Sequence, residues 1–371
     1  MKLKGNSILE FMAVFLCVLY KYLLATNIMS TSDKFIYIII LLFFGIAMFS
    51  LLNKKMYKKD FAIFLILIVI GFFTIIKVES VNYVFPIIIA SIYYDKENKE
   101  ESVKKIIQNF YICLLIGFIL MIILNLVGIL PSHDLIRFKD GTIVIRHSLG
   151  FMHPAFVGLY YTFIVFAYFY LKKANAINIT ISIILSYVFY RICDSRTTLI
   201  CNYIFIIMLL FRNNVNFKKY IKKMSPYLFI IFTIFTIIST YAYDKYNIKM
   251  IDELFSGRLS IYKEIINNNI LSKPFGSNNF ENIILDNYYL AIFLYFGYVG
   301  YSLWALFYIK TQKDMNNNII FLIIQFVILF YGMTDSNVIV SSINFMLSVQ
   351  FLHLLYSVSE IYYNRDKGER I

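Results

Sequence analysis

Residues 146–154 read RHSLGFMHP, in a chain of 371 residues that is 60% apolar. Three side chains in that short link can do chemistry. Arg146 carries a planar guanidinium fork that matches phosphate or carboxylate with two parallel hydrogen bonds. His147 and His153 carry imidazoles, and a neutral imidazole can take a proton as a general base does. Pro154 fits the first turn of a helix, where its missing N–H costs nothing, and it pushes His153 out of helical geometry. His153 is therefore expected at a helix N-cap, where the positive end of the dipole favours a neutral ring. The SLGF stretch, with its glycine, can dip back into the protein. An arginine at its edge, at membrane depth, needs an anionic partner.

Three other short motifs add to this set. In YRICDSRTTLI (190–200), Arg191 and Asp194 are three residues apart and can pair on one helix end. Ser195 can cap the next helix, which leaves Arg196 and open backbone N–H groups in its first turn, a ready phosphate site. In FSGRLS (255–260), Gly257 frees the backbone beside Arg258. DNYYL (286–290) opens another apolar run, where Asp286 can cap a helix or serve as a catalytic or sugar-binding carboxylate. Tyr288 and Tyr289 there fit the aromatic belt at a membrane surface. Arg146, Arg196 and Arg258 are thus candidate anion ligands, and His153 and Asp286 candidate catalytic groups. His147, Arg191, Asn287 and Tyr288 are supporting candidates.

The elements that must position these groups are apolar runs near 8–25, 35–52, 61–78, 81–94, 106–130, 154–171, 177–192, 198–211, 226–243, 288–309, 319–333 and 337–357. Most approach the ~20 residues that cross a hydrocarbon core. They predict an all-α polytopic membrane protein with about 12 transmembrane helices in one multi-pass domain, 1–371. Only 15% of residues are charged, against roughly 25% in soluble domains, and the mean hydropathy is +0.70.

Basic residues alternate along the links, 22 in one set against 12 in the other. The richer set, with NKKMYKK (53–59) and NFKKYIKK (216–223), is expected on the cytoplasmic side together with both termini. The net charge of +13 is then a topology signal, and no nucleic-acid partner is expected. Five of the eight arginines, Arg137, Arg146, Arg191, Arg196 and Arg258, nevertheless fall in outward links. Lysine would satisfy the charge rule equally well, so these arginines imply an anion on the outer face.

The outer loops 131–153 and 244–287 are expected to cap the site. Within the second, Ile261, Tyr262, Ile265, Ile266 and Ile270 stand at helical spacing. That pattern fits a helix in the membrane interface or one packed on the bundle. The four cysteines lack metal-like spacing and read as small apolar residues. D-x-D, HExxH, P-loop and GxSxG motifs do not occur. No cofactor is expected, and no carboxylate cluster offers a metal site.

The ordered set R-x-SLGF-x-HP, SRT (195–197), SGR (256–258) and GSNN(x)DNYYL(x)GYVG, with Gly276, Asp286, Asn287, Tyr288, Gly297 and Gly300, resembles the bacterial Wzy-type oligosaccharide repeat-unit polymerases. These enzymes of capsule, exopolysaccharide and O-antigen synthesis are related to the O-antigen ligases. The resemblance covers the layout of most of the chain, and its specific motifs amount to about thirty residues. It implies a GT-C-like membrane glycosyltransferase in the bacterial cytoplasmic membrane, with its active site facing outward. The implied reaction moves a growing glycan from polyprenyl pyrophosphate to another lipid-linked repeat unit. Arg146, Arg196 and Arg258 would hold the pyrophosphate, and His153 or Asp286 would serve the acceptor hydroxyl. Implied partners are polyprenyl-pyrophosphate-linked oligosaccharides, membrane lipids, a flippase and a chain-length regulator. The chain departs from the ligases in carrying Asp286 where they carry histidine. Competing classes are a flippase or exporter of the same lipid-linked sugar, and a ligase or acyltransferase acting on envelope sugars.

Overall fold

The computed structural model describes residues 2–26, 28–30, 33–52, 69, 82, 84–95, 97–139, 142–246, 252, 255, 257–267, 270–276, 286–336, 338 and 343–368. The run expected to span at 61–78 lies outside them. In chain order the elements are α1 (Lys2–Ala25), α2 (Lys34–Leu52), α3 (Val84–Tyr93), α4 (Lys99–Leu126), β1 (Leu135–Lys139), β2 (Thr142–Arg146), α5 (Pro154–Leu171), α6 (Ala176–Cys193) and α7 (Arg196–Leu210). They continue with α8 (Val215–Met224), α9 (Leu228–Tyr246), α10 (Leu259–Asn267), α11 (Tyr288–Asp314), α12 (Ile319–Tyr331) and α13 (Phe345–Gly368). Among the described residues seven helical runs are long and apolar enough to cross a membrane: most of α1 and α2, then α4, α5, α6, the run Val215–Tyr243 and α11. The chain is a helical, multi-spanning membrane protein.

Its contacts divide it into two compact units. The first holds residues 1–71, 82–209 and 342–371, the second 72–81 and 210–341. Loop 131–153 belongs to the first and loop 244–287 to the second.

In the first unit α3 is buried at every one of its ten positions, which explains why VFPIIIASIY is apolar all round. The opposite case is α6, where Ile177, Ile181 and Ile184 are exposed, a surface suited to hydrocarbon rather than water. The end of this unit that carries RHSLGFMHP is fixed by aromatic packing. The Tyr22 hydroxyl donates to the Leu114 carbonyl at 2.7 Å and ties α1 to α4. The ring lies so close to α4 that a Cβ on Gly117 would be 2.4 Å from it. The Tyr22 ring also packs on Tyr160 of α5, with centroids 4.5 Å apart.

Helices α5 and α7 meet at two points. Gly158 lets Thr198 approach, since a Cβ there would be 2.4 Å from the threonine hydroxyl, and Phe166 meets Phe205 two turns further along at 4.7 Å.

In the second unit α10 buries Leu259, Tyr262, Ile265 and Ile266, with Tyr262 set edge-on to Phe255. Its apolar face is therefore packed against protein, which settles the choice left open by its amphipathic sequence. Helix α11 is broken at Gly297, whose φ of 65° and ψ of −169° are non-helical. This departs from the unbroken span expected over 288–309. The KPFG segment (273–276) fills the break. Tyr298 N–H donates to the Lys273 carbonyl at 3.0 Å and Val299 N–H to the Pro274 carbonyl at 3.2 Å. A Cβ on Gly297 would lie 2.4 Å from both carbonyl oxygens. Only glycine admits that backbone-to-backbone approach.

Candidate functional site: two arginine-bearing clusters

The link 131–153 is not a plain loop. β1 and β2 form an antiparallel hairpin in which Leu135 faces Arg146 and Arg137 faces Val144. Side chains alternate along a strand, so Arg137 and Arg146 share one face. Both reach the C-terminal end of α6. Arg146 donates from Nε to the Cys193 carbonyl at 3.0 Å, and the His147 N–H bonds the Ile192 carbonyl at 2.9 Å. A terminal Arg137 nitrogen lies 3.8 Å from the Asp194 carboxylate. The carbonyl-rich end of a helix favours cations, which gives these arginines a local reason to be there.

Asp194 has left-handed backbone (φ 45°) and caps α6. Its resolved ionic partner is Arg137, from a distant segment, instead of the Arg191 that helical spacing had suggested. Arg191 sits exposed in the last turn of α6.

Past Asp194 the chain turns directly into α7. The Ser195 hydroxyl lies 2.7 Å from the Thr198 hydroxyl, and Arg196 is exposed in the first turn. Arg137 and Arg146 thus reach the turn between α6 and α7, which the exposed Arg191 and Arg196 flank in sequence.

Beyond Arg146 the chain does dip inward. Leu149 (φ 49°) and Gly150 (φ 85°) take positive φ, and Phe151 is fully buried among Tyr22, Phe118 and Tyr160. Met152 N–H then reaches the Ala25 carbonyl at 2.7 Å. His153 is the N-cap of α5. Its Nδ1 accepts from Ala155 N–H at 3.1 Å, so the neutral ring carries its proton on Nε2.

A second polar group on this link centres on Asp134. One carboxylate oxygen accepts from the Ser132 hydroxyl and from Ser148 N–H at 2.9 Å. The other lies 2.7 Å from His147 Nδ1. Burial acts to raise the Asp134 carboxyl, but the hydrogen bonds from Ser132, Ser148 and His147 outweigh it and hold the group below its ordinary range.

In the second unit Arg258 follows Gly257, whose φ is +76°. The Asp252 carboxylate accepts from Leu259 N–H at 3.0 Å and closes the start of α10. The Arg258 guanidinium is 2.8 Å from the Asp286 carboxylate, and it also donates to the Thr334 carbonyl. Burial raises the Asp286 carboxyl above its ordinary range, and Arg258 draws it only part of the way back.

The cap of α11 is Asn287 rather than Asp286. Its side-chain oxygen accepts from Leu290 N–H at 3.1 Å, and its amide donates to the Met333 carbonyl at 2.8 Å. Tyr262 donates to the same carbonyl at 3.3 Å. Tyr288 and Tyr289 are fully buried, not in a membrane-surface belt, and the Tyr289 hydroxyl donates to the Leu329 carbonyl.

Arg146, Arg196, Arg191, His147 and His153 are therefore gathered at one end of the first unit. Arg258, Asp286, Asn287 and Tyr288 are gathered in the second. The segment YGMTD (331–335), whose carbonyls receive Arg258, Tyr262 and Asn287, carried no sequence signal. The hairpin did carry one: LIRFKDGTIVIR places β-branched and apolar residues on either side of an Asp-Gly pair, a strong short-range hairpin signature. Among the described residues no three His, Cys, Asp or Glu side chains gather as a metal-ligand set. Comparison with protein-family models, curated proteins and solved structures finds no match for this chain.

Proposed function

We propose that the chain is a membrane glycosyltransferase that polymerises lipid-linked oligosaccharide repeat units. It moves a growing glycan from polyprenyl pyrophosphate to the sugar of a second lipid-linked unit. In this reading about twelve helices cross a bacterial cytoplasmic membrane, both termini are cytoplasmic and the chemistry is outward-facing, where no nucleotide sugar is at hand. The observation that carries it is that Arg137 and Arg146 reach the α6–α7 turn, which Arg191 and Arg196 flank. A helix N-terminus with a guanidinium in its first turn, as Arg196 is in α7, together with further guanidinium groups nearby, is suited to a diphosphate and to the charge that grows on it as the glycosidic bond breaks.

Arg146 and Arg196 are assigned to the pyrophosphate in the first unit. Arg258 is assigned to pyrophosphate in the second, where a phosphate oxygen would have to replace Asp286 at the guanidinium. The displaced Asp286 carboxylate, already held above its ordinary range, would then be able to take a proton. His153, at the start of α5, is assigned to the acceptor sugar.

A second reading, transport of the same lipid-linked sugar, is favoured by the break in α11 at Gly297, because interrupted spans often line binding sites in transporters. Purified protein incubated with lipid-linked oligosaccharide separates the two. A polymerase yields a ladder of products spaced by one repeat unit. A transporter in vesicles moves the glycan across the bilayer and leaves its length unchanged.

A further inference from the structure

The RHSLGFMHP link holds two imidazoles, and their surroundings divide the work between them. His153 Nδ1 is bonded to the α5 backbone, so this ring can gain a proton there only by giving up its cap. His147 is arranged the other way round. The Asp134 carboxylate, ionised and able only to accept, lies 2.7 Å from Nδ1, which fixes the proton on Nδ1 and the lone pair on Nε2. Asp134 is itself held by Ser132 and by Ser148 N–H, and Ser148 is buried. His133 N–H donates to the Ser148 hydroxyl at 2.8 Å, which closes the network. The His147 backbone is pinned to the Ile192 carbonyl, while half of its side chain, 51%, stays open. A carboxylate that orients an imidazole, leaving the second nitrogen outward, is the arrangement a general base needs. His147 follows Arg146 in sequence, and its backbone is tied to the last turn of α6.

We infer that His147, oriented by Asp134, is the base that deprotonates the acceptor hydroxyl. The inference rests on the transfer reading above and names the base within it. The His147 Nε2 lone pair takes the hydroxyl proton as that oxygen bonds to the anomeric carbon of the donor glycan. The bond from that carbon to the pyrophosphate oxygen breaks, and its electron pair leaves with polyprenyl pyrophosphate. The imidazolium then gives its proton to water. Asp134 is a positioning residue that also stabilises the imidazolium. The charged group in contact with the ring is Asp134.

The test uses full-length protein in nanodiscs and lipid-linked oligosaccharide extracted from source cells that lack this chain. Elongation is followed against pH. Wild type should show a rate that rises with pH along a single-proton limb and then levels. His147→Gln should lower kcat by about 100-fold with little change in KM. Asp134→Asn keeps the imidazole but should shift the limb to lower pH and reduce the plateau, a change that loss of packing alone would not produce. Elongation by His147→Gln at the wild-type rate, or a limb that Asp134→Asn leaves in place, overturns the assignment while the transferase reading stands. If wild type does not elongate at all, the transferase reading falls and this inference falls with it.

Discussion

Arg146 donates to the carbonyl of Cys193, 3.0 Å away, and so joins the hairpin of one link to the turn that carries Arg196 three residues on. Two segments that looked independent in sequence form one cationic end of the first unit. The contact uses Nε, and lysine has no equivalent planar group. Arg146→Lys should therefore keep the charge and lose the geometry. Hydrogen bonds from charged donors contribute about 1.5–3 kcal/mol, so elongation is expected to fall roughly 10- to 100-fold. The variant's thermal midpoint in detergent should fall by a few degrees. Elongation at the wild-type rate would show that the fork is not needed.

The dip of SLGF into the protein depends on Phe151. This ring is fully buried and contacts Phe118 and Tyr160 at 6.1 and 5.2 Å. Phe151→Ala is expected to cost about 3–5 kcal/mol. Limited proteolysis should find cleavage between residues 131 and 153 in the variant before any elsewhere in the first unit.

Much of this fold was legible because apolar runs and helix punctuation are local signals. Pro154 placed the start of α5 and made His153 its cap, and the run 154–171 coincides with the helix. The arginine cluster was legible only as residue types. Asp194 meets Arg137 because a hairpin brings β1 back over the end of α6, and helical spacing, which pointed to Arg191, cannot report a partner from another segment. The Asp134–His147 pair spans the same hairpin, so it stayed hidden while 131–153 was read as loop. Asp286 was open to two readings, a helix cap or a catalytic or sugar-binding carboxylate. Asn287 takes the cap, and only the fold reveals that Arg258 is close enough to hold the carboxylate.

The break in α11 is a second testable feature. Gly276 and Gly297 both have positive φ, and a Cβ on either would lie 2.4 Å from a backbone carbonyl oxygen. Gly297→Ala and Gly276→Ala should each destabilise the second unit by at least about 2 kcal/mol, from left-handed strain and overlap together. The two residues are in contact, so the double variant should cost less than the sum. Hydrogen exchange at Tyr298 and Val299 reads the loss directly.

Acid should loosen the hairpin. Asp134 titrates below its ordinary 3.8, so the native state prefers its ionised form. The stability it supplies is present above that value and is lost as pH falls through the lowered one. Exchange protection of the His133 and Ser148 amides should vanish over that window, and Asp134→Asn should weaken it already at pH 7.

Asp286 has the opposite sign. Its folded carboxyl titrates above 3.8, so ionising it costs folding stability. Its contribution is greatest below 3.8 and declines as pH rises through the folded value. Arg258→Gln removes the group that offsets burial and should move the Asp286 titration higher still, measurable by infrared difference spectroscopy of the carboxyl band.

The central claim is that arginines on the α6–α7 turn grip a lipid-linked diphosphate sugar. Native mass spectrometry of the protein released from bilayer nanodiscs tests it most directly. The account predicts a bound species with the mass of a polyprenyl-pyrophosphate glycan, retained by wild type and largely lost from the Arg146→Lys, Arg196→Lys double variant. A protein that carries only phospholipid, or a double variant that holds the glycolipid as firmly as wild type, would contradict it.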